Sequence, residues 1–504
     1  MRNKYAFINM MANLMLQVCV AVSGIILPRF FMEAYGSTVN GMITSISQFL
    51  SYIALVEAGV GTASAVVLYA PLANKDSKQI NGILSATKRF YFKSGCLYLI
   101  LTLGLAVIYP MLINSQVEKS LVVLMVLILS SSSAIDFFVL GKYRVLLTAD
   151  QKNYVVTFAQ IIGTILMVVL SVLFIKLNMG VVVVKSVVTF VFILRVLIVY
   201  VYVKKKYSDV NYNEVPMYDK LEQRWDALLH QIVGTIVLNT GIVILTVFSG
   251  KNSLLEVSVY TTYNMVGQAL YLFLNSFSTA LSAGFGQVIA AKEEETLKKA
   301  YSTYEYMYTI VLHIMYTCMA ILILPFVYLY TINIKDVNYV RVSVAILFVV
   351  CGYIRDMRIP SLTMICSAGH FRETRYRAIA EALINIVVSM IFVFKFGLVG
   401  VLAGTICSFA YRSIDCVLYN SKYIVKNISL RFMRRMLVNL SVSMVLIVVG
   451  IKFVNVNMDS FFEWFVNAGI CAVMCSVVIC IVNCVSEPEE FKNLLIRVKS
   501  LVRK

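Results

Sequence analysis

Charge and apolarity are segregated along this chain. About fourteen apolar segments follow one another through short loops, and Lys and Arg crowd alternate loops. Segments such as Tyr5–Leu27, Leu97–Ile113, Val155–Ile175, Val181–Val203 and Val438–Val454 have the length that a hydrocarbon core of roughly 30 Å asks of a helix. Backbone groups in lipid must pair internally, which selects helices or closed barrels, and the strict ten-residue alternation of a barrel strand is missing. The segments begin near Tyr5, Thr38, Lys88, Val117, Val155, Val181, Trp225, Leu254, Tyr301, Asn338, Arg372, Leu398, Phe432 and Asp459. An even number puts both termini on one side. Of 44 Lys and Arg, 31 lie at the N-terminus, in the loops after even-numbered segments and in the C-terminal tail. The opposite loops and their flanks hold 9. The positive-inside rule then makes both termini cytoplasmic.

The net charge of +18 is accordingly a topology signal, and a nucleic-acid partner is not expected. Only 14% of residues are charged, about half the usual globular share, too few to solvate a soluble protein of 504 residues. The first apolar run is long and lacks a small-x-small exit, so it reads as an uncleaved span. The 11 Cys are scattered, without a C-x-x-C pair, and His230, His313 and His370 form no ligand pattern. No metal site and no cofactor are expected.

The longest cytoplasmic connection, 207–224, separates six segments from eight. The polar-spotted stretch Thr38–Tyr69, ending in Lys75–Lys78, resembles Tyr260–Ile289, ending in Lys292–Lys299. This predicts two parallel six-helix lobes, 1–206 and 225–426, then two additional helices within 427–486 and a cytoplasmic tail, 487–504.

Polar stripes on membrane helices mark an interior or a cavity. Asn9, Asn13 and Gln17 share a face of segment 1, and Asn40, Thr44, Gln48 and Ser51 share one on segment 2. Gln231, Thr235 and Asn239 lie on segment 7; Tyr260, Asn264, Gln268, Tyr271, Asn275 and Ser278 lie on segment 8. These are the first two helices of each lobe, and they predict a polar cavity between lobes. Charges inside segments are the next signal. The acids Glu57, Asp136 and Glu381 are candidates for ion coupling. Arg412 and Asp415, one turn apart, read as a local ion pair. Arg195 lies within snorkelling reach of the cytoplasmic face. Arg355 and Arg358 sit three apart just before Pro360 and are expected to share a face, where they call for a structural acid or an anionic ligand. Arg29 follows Pro28, which is expected to bend the end of the first helix.

Two strings carry a resemblance. Leu27–Gly61 reads LPRFFMEAYGSTVNGMITSISQFLSYIALVEAGVG and Gln223–Ile232 reads QRWDALLHQI. Both resemble segments of the polysaccharide transporter family, the capsule and O-antigen repeat-unit flippases of the multidrug/oligosaccharidyl-lipid/polysaccharide exporter superfamily. The resemblance implies an all-α membrane fold of two six-helix lobes in a V plus two helices. It implies translocation of undecaprenyl-pyrophosphate-linked oligosaccharide across the bacterial cytoplasmic membrane, beside polysaccharide polymerase machinery. It also implies arginines on the pyrophosphate: Arg29 by motif, with Arg355 and Arg358 as further candidates. A multidrug cation antiporter of the same superfamily is the nearest alternative, although the arginine-bearing segments argue against it. A membrane polymerase or ligase is the other; outer loops of about ten residues and the lack of a catalytic motif in the sequence argue against that.

Overall fold

The computed structural model describes residues 2–57, 60–113, 117–218, 225–426 and 430–492. Among them every regular element is helical. Ten helices are long and apolar enough to cross a bilayer, and Ala63–Asn74 and Ile232–Phe248 add shorter apolar ones. The outer rim is what lipid demands: Ile100, Val107, Phe394 and Val485 are all more than half exposed.

The helices follow the fourteen predicted segments, with the first two joined in one long helix and the second, fourth and tenth each interrupted. α1 (Arg2–Ile53) holds the first two. It runs through Pro28 and breaks instead at Gly36, whose φ of 82° and ψ of 165° suit only glycine. α2 (Val60–Asn74) completes the second segment. α3 (Ser77–Leu112), α4 (Lys119–Ile135) with α5 (Gly141–Ala149), α6 (Tyr154–Lys176) and α7 (Val181–Lys206) follow. α8 (Trp225–Phe248), α9 (Ser253–Ala290) and α10 (Glu294–Thr331) come next. The tenth segment is split into α11 (Val342–Asp356) and α12 (Ile359–Ser367). Pro360 explains this split: it has no N–H for the carbonyl of Asp356, and the Tyr308 hydroxyl donates to that carbonyl instead, at 2.9 Å. α13 (Phe371–Phe396), α14 (Leu398–Tyr419), α15 (Leu430–Phe453) and α16 (Phe461–Ser486) finish the chain.

The helix boundaries repeat. α3, α6 and α7 start at Ser77, Tyr154 and Val181; α10, α13 and α14 start at Glu294, Phe371 and Leu398, each 217 residues later. The turn residue with positive φ before α3, Lys75, recurs as Lys292 at the same offset. In each half the fourth span is interrupted at an acid: a π-turn begins at Asp136, and α11 ends at Asp356. By contacts the chain forms two compact units, Met1–Ser258 and Val259–Lys504. The lobe limits 1–206 and 225–426 stay a proposal drawn from the repeat.

Close helix contacts use small residues. In the first unit, a Cβ on Gly41 would stand 1.8 Å from the carbonyl oxygen of Leu254. Beside it the Asn40 amide donates to Ser258 at 2.8 Å, Ser45 and Thr246 hydroxyls meet at 2.7 Å, and Tyr52 reaches Thr240 at 3.0 Å. In the second unit, Gly400 and Gly404 of α14 lie one helical turn apart against α13, and a Cβ on Gly404 would strike Ser389 at 2.3 Å.

The last two helices are fastened to α10 by charge. Arg435 on α15 is buried and pairs with Glu487 at 2.7 Å, Glu305 at 3.2 Å and Glu490 at 3.7 Å. Burial opposes the charge on Glu487, just past α16, but Arg435 and Arg434 outweigh it and hold the carboxyl below its ordinary value. A depressed carboxyl contributes stability fully above its ordinary value of about 4.3 and loses it as pH falls through the lowered one. Acidification into that range is expected to release α16, read as faster hydrogen exchange at 480–490. Arg435→Gln should bring the same release at neutral pH; protection unchanged in both cases would show that the cluster is not the fastening.

Candidate substrate site

In the unit Met1–Ser258, part of the predicted stripe binds helices together. Asn9 donates to the carbonyl of Gln151 at 2.8 Å and accepts from the Tyr154 N–H at 2.6 Å. Thr157 donates to Asn13 at 3.4 Å, so Asn9 and Asn13 tie α1 to the start of α6. Gln17, further along the stripe, is exposed. Asn40 is buried on Ser258, and Thr44 returns its proton to the Asn40 carbonyl at 2.9 Å. Gln48, Thr235 and Asn239 are half-buried, and Gln231 lies outside the described side chains. Arg29 pairs with Glu33 one turn on, at 3.1 Å, both partly exposed.

The two acids of this unit converge on one base. Arg144 reaches Glu57 at 2.6 Å and Asp136 at 3.0 Å, and the Tyr91 hydroxyl donates to Glu57 at 2.6 Å. Arg195 donates to Gln160 at 3.2 Å. Lys185 stacks its ammonium over Phe31 at 4.0 Å, with no acid paired to it among the described residues.

In the unit Val259–Lys504, α9 carries the longest polar row. Tyr260 is buried against the Phe348 ring at 5.0 Å. Asn264, Gln268, Tyr271 and Asn275 are half-buried at helical spacing. The side-chain amides of Asn264, Gln268 and Asn275 have no hydrogen-bond partner among the described residues. Unpaired amides in hydrocarbon cost several kcal/mol each, so this face is built for water or a hydroxyl-rich ligand. Behind it, the Arg355 guanidinium lies 4.6 Å from the Tyr271 ring centre and donates to the Gly267 carbonyl at 3.1 Å.

Arg355, in the last turn of α11, and Arg358, at the N-cap of α12, pair with different acids. Arg355 pairs with Asp356 at 2.6 Å, and Asp356 also accepts from Tyr316 at 2.6 Å. Arg358 pairs with Glu381 at 2.6 Å. Glu381 in turn meets Arg412 at 3.6 Å, Arg412 meets Asp415 at 2.6 Å, and Asp415 also holds Arg377. The result is an alternating chain of three guanidiniums and two carboxylates, with an arginine at each end. Arg144, Arg377 and Lys185 were hidden among the residues counted as loop charge. A signal existed: Arg377 precedes Glu381 by four residues, and Arg144 follows Asp136 by eight, both on one helical face.

No family description and no curated protein matches the chain. Solved structures do. An inward-facing multidrug resistance MATE family transporter of the MOP superfamily aligns with TM-score 0.69 and 15% identity, over 82% of this chain and 99% of that one. Lipid II flippase MurJ, in an inward closed conformation, aligns with TM-score 0.64 and 14% identity, over 96% of this chain and 99% of that one. A MOP superfamily transporter from Pyrococcus furiosus aligns with TM-score 0.57 and 16% identity, over 84% and 94%. At these identities the likeness establishes the fold: an all-α membrane protein of the MATE and MurJ kind. The MurJ alignment omits only about 20 residues of this chain, fewer than α15 and α16 contain, so it takes in at least part of that pair.

Proposed function

We propose that this chain carries an undecaprenyl-pyrophosphate-linked oligosaccharide from the inner to the outer leaflet of a bacterial cytoplasmic membrane by alternating access, supplying capsule, exopolysaccharide or O-antigen synthesis. The observation that carries this reading is the row of unpaired neutral amides at Asn264, Gln268 and Asn275. Sugar hydroxyls both donate and accept, and amides answer both roles. The likeness to a lipid II flippase supports a lipid-linked cargo, since lipid II is what that neighbour's name says it moves.

The likeness to a multidrug transporter favours a second reading, antiport of organic cations. A cation carrier needs an accessible carboxylate. Here Glu57, Asp136, Asp356, Glu381 and Asp415 are each held by an arginine, which favours the glycan reading.

The pyrophosphate needs a cation that can be released. Arg355 and Arg358 are held in buried pairs whose rupture is costly. Arg29, partly exposed and paired with Glu33 at 3.1 Å, stands outside those buried pairs. Arg29 is the candidate that the resemblance offers for the diphosphate, and the α9 row is the candidate for the sugars. Glu57 and Asp136 on Arg144, and Glu381 in its arginine chain, are the groups through which a proton or sodium ion would couple.

The paired substitution Asn264→Leu and Gln268→Leu should lower delivery of lipid-linked oligosaccharide into inverted vesicles about tenfold at normal protein level. Full delivery would remove the α9 row from the site. Efflux of organic cations by the intact protein, with no glycan delivery, would favour the antiporter.

A further inference from the structure

One aromatic ring stands among the unpaired amides of the α9 row. Tyr271 follows Asn264 and Gln268 and precedes Asn275 at helical spacing, so the four share a face. Along the axis Gln268 lies about 4.5 Å before Tyr271 and Asn275 about 6 Å after it. Tyr271 is half-buried, and its hydroxyl has no hydrogen-bond partner among the described residues. Its ring meets one charged group, the Arg355 guanidinium, 4.6 Å from the ring centre.

Arg355 is itself fixed from behind. It is 7% exposed. Its Nε donates to Asp356 at 2.6 Å and a terminal nitrogen donates to the same carboxylate at 3.2 Å. Tyr316 holds Asp356 in turn, at 2.6 Å. The same terminal nitrogen of Arg355 donates to the Gly267 carbonyl at 3.1 Å. Gly267 precedes Tyr271 by four residues, so its carbonyl belongs to the turn that carries the ring. The guanidinium thus grips both the ring and its backbone. A planar cation over an aromatic face is attracted to it, and here it covers one face only. The opposite face has no ring or cation against it among the described residues.

An aromatic face is electron-rich. The C–H bonds of a pyranose are polarised by the neighbouring oxygens and carry partial positive charge. A sugar can therefore lay a face of C–H bonds on the ring while its hydroxyls point sideways, where Gln268 and Asn275 can both donate and accept. A ring already pinned by Arg355 gives up little freedom on binding. A sugar with axial hydroxyls on both faces cannot lie flat on it.

We propose that Tyr271 is the platform for one sugar of the cargo, a pyranose with an uninterrupted C–H face such as a β-gluco or β-galacto unit, and that Arg355 is the positioning residue for this ring. The assignment rests on the glycan reading and gives Arg355 a task other than holding the pyrophosphate.

The test is binding of undecaprenyl-pyrophosphoryl cellobiose to the full chain in lipid nanodiscs. The references are undecaprenyl pyrophosphate and the corresponding lipid carrying a disaccharide of altrose, whose axial hydroxyls interrupt both faces. The intact chain should bind the cellobiosyl lipid about fivefold more tightly than either reference. Tyr271→Leu should abolish that preference at an unchanged melting temperature, and Tyr271→Phe, which keeps the ring, should recover most of it. Arg355→Lys keeps the charge beside Asp356 but cannot stack as a plane. It should also lose the preference, leave the affinity for undecaprenyl pyrophosphate unchanged, and add nothing to Tyr271→Leu. A preference that survives Tyr271→Leu, or equal binding of the cellobiosyl and altrose lipids, would overturn the platform and leave the glycan reading standing. Weaker binding of all three lipids by Arg355→Lys would overturn its positioning role. An intact chain that binds none of the three would overturn the glycan reading and the platform with it. If the variants do not fold, the comparison of cellobiosyl and altrose lipids on the native chain decides alone.

Discussion

Glu381→Leu should cost the second unit about 3–5 kcal/mol, the loss expected when one partner of a buried ion pair is removed. Glu381 is buried between Arg358 at 2.6 Å and Arg412 at 3.6 Å. Without it, three guanidiniums are left with Asp415 alone. The expected result is a severalfold drop in membrane-inserted protein and a lower melting temperature in detergent. Arg358→Leu in the same chain should restore much of both, because it removes the charge that Glu381 balanced. If the single variant is as stable as the parent, the alternating chain does not support the fold.

The second large effect is expected at Gly41. The Leu254 carbonyl is backbone and cannot swing aside, so the 1.8 Å approach leaves no room for any Cβ. Gly41→Val should separate α1 from the start of α9 and break the neighbouring Asn40–Ser258 and Ser45–Thr246 bonds. If both termini are cytoplasmic, as the loop charges predict, this seam lies towards the outer side. Ser45→Cys, in a background whose 11 cysteines are replaced, should react with an impermeant thiol reagent at least tenfold faster when Gly41 is also Val. Unchanged reactivity would mean that the seam does not close this side.

The fold was legible because hydrophobic length and loop charge are local properties of the chain. The fourteen segments emerge from them, and so does the duplication, although the repeat in helix starts is far clearer than any residue identity. The site was less legible. Glu57, Asp136 and Glu381 stand out as acids in apolar segments, but their partners come from elsewhere: Arg144 is 87 residues from Glu57, and a charge near a helix end looks the same whether it faces water or a buried acid. The stripe on α1 looked uniform by period. Yet Asn9 and Asn13 serve α6, while Gln17 stays exposed, since helical spacing says which residues share a face and not what that face meets. Pro28 attracted the expected bend, but the break fell at Gly36, where the backbone enters a region closed to other residues. At Pro360, where the sequence reads as one continuous segment, the helix is interrupted, and Tyr308 takes up the orphaned carbonyl.

The Arg435 cluster also imposes an order in time. Glu305 enters the membrane 130 residues before Arg435 leaves the ribosome. At about 5–20 residues per second that gap lasts roughly 7–26 s. During it, α10 sits in the bilayer with an acid whose counter-charge has not yet been made. The closing helices therefore arrive as a late clasp: until Arg435 is made, Glu305 stands without its counter-charge.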